Sequence, residues 1–225
     1  MTIVSPPVNT FGSGGAEPYA EALRRNDSVT LMLRDDAQGA ASHSTMDVAR
    51  WNAGADDADL TLLRSVTGPV LDIGCGPGRM VRAAMDLGLE VLGVDVSPTA
   101  IEIATEAGLT VLQGSVFDAM PDEGGWQTAL LVDGNIGIGG DVRAMLDRCL
   151  ELLTPTGEIV VETHPDAGRD STYTGTLVDA RGGESEHFPW AEIGLRPMTA
   201  LAHDMGLALV QSWMIDGRTF CRLAR

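Results

Sequence analysis

Val70-Leu71-Asp72-Ile73-Gly74-Cys75-Gly76-Pro77-Gly78-Arg79 is the stretch on which the fold turns. Val70 to Ile73 is a short apolar strand, and three glycines at alternate positions follow it. Arg79 to Leu87 then carries helical spacing. Glycine lets the backbone turn tightly and admits a ligand where a Cβ would stand in the way. The helix after the turn begins with N–H groups that the helix itself leaves unpaired. Further on, Gly88 sits where a helix-ending glycine belongs, and Val91 to Val94 is the next strand. Ser97 caps a helix with Pro98 at its first position and Ile101, Ile103 and Ala104 on its apolar face. Thr110 to Leu112 and Thr128 to Val132 read as strands. Asp141 caps a helix running to Leu153, and Thr156-Gly157 turns into the strand Glu158 to Thr163. Upstream, Asp56 and Asp57 open a helix carrying Leu60, Leu62 and Leu63. This alternation predicts an α/β fold, a doubly wound and mostly parallel sheet with helices on both faces.

The ends read differently. Met1 to Gly15 is a loose tail, and Pro18 opens a short helix with Tyr19, Ala20 and Leu23 inward. Val29 to Leu33 fits a strand or a turn of helix, and Asp35 to Thr45 reads as a loop. Thr163 to Pro197 breaks the alternation with a polar, irregular insert. Thr199 to Met205 is a helix. Leu207 to Ser212 and Arg218 to Ala224 pair as a hairpin around Asp216-Gly217.

Two ligand classes fit the glycine turn. A dinucleotide site wants G-x-G-x-x-G, but here the third glycine comes one residue early and Arg79 takes its place. Asp72, two residues before Gly74, has little use for a pyrophosphate. S-adenosylmethionine suits it better, because its amino-acid end carries an ammonium beside a carboxylate. The ammonium can pair with Asp72, directly or through water, and the carboxylate with backbone N–H groups or Arg79. Asp95 ends the next strand about 20 residues past the turn, where an acid accepts the two ribose hydroxyls.

Val70 to Arg79 and Gly93 to Ser97 resemble the first two motifs of the class I, Rossmann-like S-adenosylmethionine-dependent methyltransferases. The resemblance extends from about Asp56 to Ala224. It implies a seven-stranded sheet whose last strand is antiparallel, and S-adenosylmethionine as cofactor with S-adenosylhomocysteine as product. The cofactor would be held by Asp72, Gly74, Gly76, Gly78, Arg79, Asp95 and Val96. Ser115 and Val116 would lie beside the adenine, and Asp133 to Asn135 would face the methionine end. Many members carry an acid where Ser115 stands, which leaves backbone contact through Val116.

Methyl transfer asks for an acceptor held in line and kept dry, with a base if a hydroxyl or protonated amine reacts. Asp133, Asn135 and His164 are the catalytic candidates, although Asp-Gly and Asn also favour turns and His164 equally fits a solvent-facing strand end. Trp51 and Trp190 either wall an aromatic acceptor or pack the insert. His43 and His187 fall in irregular segments. The chain carries a net charge of -17, and arginine is its only basic residue besides histidine. That field repels nucleic acid. No apolar run nears the ~20 residues of a membrane span, no secretory signal opens the chain, and the three cysteines lack zinc spacing. The Asp-or-Asn-Pro-Pro-aromatic motif of nucleobase and protein-amide methyltransferases is missing. These readings converge on a cytoplasmic methyltransferase of a small molecule. Residues 1–55 would form a tail and acceptor-covering segment, and 56–225 the cofactor domain with its insert at about 164–197. A dinucleotide-dependent oxidoreductase or epimerase, and a non-catalytic S-adenosylmethionine-binding module, stay open, as do the acceptor and the oligomeric state.

Overall fold

The computed structural model describes residues 10–12, 18–25, 30–36 and 43–225. The chain begins with helix α1 (Pro18–Arg25), strands β1 (Thr30–Asp35) and β2 (His43–Asp47), and helices α2 (Val48–Asn52) and α3 (Asp57–Arg64). Strands and helices then alternate: β3 (Val70–Ile73), α4 (Arg79–Asp86), β4 (Val91–Asp95), α5 (Pro98–Glu106), β5 (Val111–Gln113), β6 (Trp126–Leu131), α6 (Val142–Leu152) and β7 (Leu153–Thr163). The last elements are β8 (Asp170–Val178), β9 (Phe188–Ile193), α7 (Leu195–Asp204), β10 (Ala208–Ile215) and β11 (Arg218–Ala224).

Seven strands form the main sheet in the order β10-β11-β7-β6-β3-β4-β5. β3 to β7 run parallel, β11 is antiparallel to β7, and β10 is antiparallel to β11. This is the Rossmann-like sheet with an antiparallel end. Asp216 and Gly217 both take positive φ, 50° and 78°, which is the twist a two-residue hairpin needs. Successive strand residues alternate between two cores. Leu71, Ile73, Leu131 and Val161 meet Met145 and Leu146 of α6 and Met198 of α7. Val70, Leu130, Val160 and Phe220 meet Leu62 and Leu63 of α3 and Val81 of α4. The caps stand where the sequence places them: Ser97 Oγ accepts from the Ala100 N–H, Asp141 from that of Ala144, and Asp56 with Asp59 forms a capping box on α3.

The ends of the chain correct the sequence reading. Strands β2-β1-β8-β9 form a second, antiparallel sheet. The run through Leu33 is therefore strand, and part of the expected loop, His43 to Thr45, belongs to β2; Val29 and residues 37–42 lie outside the described residues. The irregular insert supplies β8 and β9. Its Thr, Ser and Tyr residues suit a sheet solvated on one face, so their polarity hides their β-propensity. Helix α7 begins at Leu195, four residues earlier than expected, because Pro197 falls in its first turn, where a missing N–H costs nothing. β7 starts at Leu153, which pairs with Trp126 ahead of an irregularity in the ladder, so Thr156-Gly157 lies within the strand. Of the expected tail, residues 10–12 are described, and Phe11 packs its ring against Tyr19, Trp51, Phe188 and Trp190. Among the described residues no helix is long and apolar enough to cross a membrane.

Candidate functional site

The glycine turn, the carboxyl ends of β3, β4 and β6, and pieces of the N-terminal segment enclose a cleft of about 750 Å³, its mouth included. Asp72, Gly74, Gly76, Arg79, Asp95, Val96, Ser115, Val116, Asp133 and Asn135 all line it; Gly78 and His164 do not. Thr10, Phe11, Tyr19 and Trp51 roof it; the sequence reading gave the N-terminal segment and Trp51 to the acceptor and placed Tyr19 inward, without assigning any of them to the cofactor cleft.

Asp72 is 1% exposed, and neither carboxylate oxygen has a hydrogen-bond partner among the described residues. Burial, with Asp133 and Asp95 adding to it, pushes its pKa up to about 8. Such a group calls for a cation. Asp95 is anchored: Oδ2 accepts the Gly76 N–H and Oδ1 the Ser97 N–H, each at 2.8 Å. Burial raises its pKa while these donors pull it down.

The turn's amides are engaged within the protein. Gly74 and Cys75 donate to the Val94 carbonyl, Gly76 to Asp95 and Gly78 to the Cys75 carbonyl, and Pro77 has no N–H. Gly74, Gly76 and Gly78 all take the left-handed region, φ 72°, 55° and 94°, which explains the alternating glycines. Asn135 braces this turn: Nδ2 donates to the Ile73 and Gly74 carbonyls at 2.8 and 2.9 Å.

Arg79 is nearly buried and pairs with both Asp59 and Asp133. Burial lowers its pKa, and Asp133 opposes that shift. Arg50 joins the cluster from α2, 3.0 Å from Asp56, 3.2 Å from Asp59 and 3.3 Å from Asp133. Arg218 adds Asp59 at 2.7 Å and Glu162 at 2.8 Å. Asp133 sits at φ 55°, unusual for a residue with a Cβ, held by these guanidiniums and by its own N–H, which donates to Glu162.

Beyond Asp133 and Trp51 lies a second cavity of about 1170 Å³, solvent space included, between β2, α2, the end of β7 and β9. Trp51 and Asp133 border both spaces. Arg50, Glu162, His164, Trp190 and Glu192 line the second one. His164 Nδ1 accepts the Asp166 N–H at 3.1 Å, which leaves the proton of a neutral ring on Nε2. His187 pairs with Asp36 and Thr176 and lines neither space. His43 begins β2.

Residues 70–157 match the family model of a methyltransferase domain. Over 99 residues the chain is 31% identical to a ubiquinone biosynthesis O-methyltransferase of Chelativorans sp. (strain BNC1), covering 42% of this chain and 39% of that protein. Over 83 residues it is 39% identical to a ribosomal protein L11 methyltransferase of Alteromonas mediterranea, covering 36% of this chain and 26% of that protein. The chain thus aligns with two fifths or less of these relatives' length. A S-adenosylmethionine-dependent methyltransferase from Bacteroides fragilis, solved with S-adenosyl-L-homocysteine, superposes with a TM-score of 0.74 at 20% identity, covering 95% of this chain and 94% of that one. The Burkholderia thailandensis 1,6-didemethyltoxoflavin-N1-methyltransferase gives 0.55 at 17% identity over 74% of this chain and 76% of its own. The glycine turn, the strand order and the match together make residues 70–157 a methyltransferase domain of the class I, Rossmann-like type.

Proposed function

We propose that the protein is a cytoplasmic enzyme that transfers the methyl group of S-adenosylmethionine to a small-molecule acceptor. The observation that carries this is Asp72, a buried carboxylate without a partner among the described residues, in one cleft with the glycine turn and Asp95. Bound there, the cofactor supplies a methyl group already activated on a sulfonium. Asp72 takes its ammonium and Asp95 its ribose hydroxyls, while Ser115 and Val116 flank the adenine. Phe11, Tyr19 and Trp51 exclude water.

The second cavity is the acceptor's place in this reading, because it meets the cofactor cleft at Asp133 and Trp51. A concave space walled by Trp51 and Trp190 suits a small molecule. The Burkholderia relative of the same fold is named for such an acceptor. Asp133, held among the guanidiniums of Arg50, Arg79 and Arg218, is a hydrogen-bond acceptor that orients the substrate. His164, donating from Nε2, orients rather than deprotonates. Asn135 holds the turn in shape. Rate then comes mainly from alignment and dryness. The three buried free thiols suit a reducing compartment.

The test is thermal unfolding with S-adenosylmethionine, S-adenosylhomocysteine and NAD, on wild type and Asp95→Ala. A ligand far above its Kd adds about 3–4 kcal/mol. Both adenosyl ligands should raise Tm, and Asp95→Ala should lose the shift. A shift with NAD alone would install the dinucleotide reading instead. Binding without turnover across amine, phenol and carboxylate acceptors would leave a non-catalytic module.

A further inference from the structure

Three carboxylates, Asp72, Asp95 and Asp133, line the cofactor cleft, yet the amino-acid end of the cofactor brings a carboxylate of its own, which needs donors. The turn supplies few. The N–H groups of Gly74, Cys75, Gly76 and Gly78 all bond within the protein. Asn135 Nδ2 is engaged with the turn carbonyls. Among the described residues Arg79 keeps one unpartnered N–H, at Nε, but its charge is already matched by Asp59 and Asp133.

Tyr19 differs from all of these. Its residue is 3% exposed and lines the cleft, and its hydroxyl makes no hydrogen bond with any described residue. Its ring is fixed against Phe11 and Trp51. Its oxygen stands over the glycine turn, 3.3 Å from where a Cβ on Gly76 would be. A buried tyrosine hydroxyl ordinarily finds a partner.

We infer that the Tyr19 hydroxyl is a cofactor-binding donor, contributed by the N-terminal segment, that receives the carboxylate of the cofactor's amino-acid end. The inference rests on the reading of the cleft as an S-adenosylmethionine site. Burial and the nearby Asp95 hold the phenol's pKa well above its ordinary value, so it stays protonated.

The test is calorimetric titration of wild type and Tyr19→Phe with two ligands, S-adenosylhomocysteine and 5′-methylthioadenosine. The second shares adenine, ribose and sulfur but has no amino-acid end. Phenylalanine keeps the ring packing, and an unchanged ligand-free Tm checks the fold. A hydrogen bond to a charged group corresponds to roughly a tenfold to hundredfold change in Kd. Tyr19→Phe should weaken S-adenosylhomocysteine by that factor and leave methylthioadenosine unchanged. Equal weakening of both ligands would put the hydroxyl on the ribose and overturn the inference. No change for either would do the same and return the carboxylate to Arg79 Nε. If wild type binds neither ligand, the reading of the cleft fails first.

Discussion

Asp72 shows how much chemistry a single residue type can signal. An acid two positions before a glycine turn is legible in sequence, and so is Asp95 at its spacing, because both follow from where strands of this kind end. The fate of Arg79 was not legible. Its partner Asp59 lies on α3 and reads locally as a helix cap, and Asp133 reads as a turn residue; only the packing of three distant segments joins them. Asp72 has a consequence in pH. Its folded pKa, about 8, stands above the roughly 4 of an unfolded aspartate. Between these values the folded state binds more protons than the unfolded one, so the Asp72 contribution falls as pH rises through that window and levels off above it. Ligand-free Tm followed from about pH 5 to about pH 8 should show Asp72→Asn gaining steadily on wild type. A constant difference across that range would mean the carboxylate is ionised throughout.

At the scale of elements, the parallel core was readable because buried strands and amphipathic helices carry strong periodicity, and the hairpin because Asp-Gly demands one backbone shape. The second sheet was not. β1 and β2 come from one end of the chain and β8 and β9 from the other, so no local pattern announces their pairing, and the Thr-rich β8 looks like loop. The turn after β6 comes close to the backbone of β9. A Cβ built on Gly137 would come within 2.0 Å of the Ala191 carbonyl oxygen on β9 and 2.9 Å of Trp190. Gly137→Ala should therefore cost about 1–3 kcal/mol of stability and displace Trp190 from the second cavity, which denaturant melts and tryptophan emission would record. Gly54→Ala, where nothing lies within 4 Å, should stay within about 0.5 kcal/mol. Equal losses in the two variants would refute the contact.

Over the whole molecule, the -17 net charge acts with the carboxylates of the cleft. S-adenosylmethionine carries one more positive charge than S-adenosylhomocysteine, so the field should steer the first and be nearly indifferent to the second. Raising ionic strength from about 0.01 M to about 0.15 M shortens the screening length from roughly 30 to 8 Å. Stopped-flow association should slow with salt for the cofactor and barely change for its product. The strand order of the second sheet also dictates a timetable. Met32 and Leu33 pair with Val178 and Leu177, so during synthesis β1 must wait until β3 to β7, the parallel part of the main sheet, have left the ribosome. Until then it offers an open edge with the side chains of Leu31 and Leu33 uncovered. The nascent chain is thus most prone to aggregate before β8 arrives, and slowing translation just upstream of residue 170 would prolong that exposure.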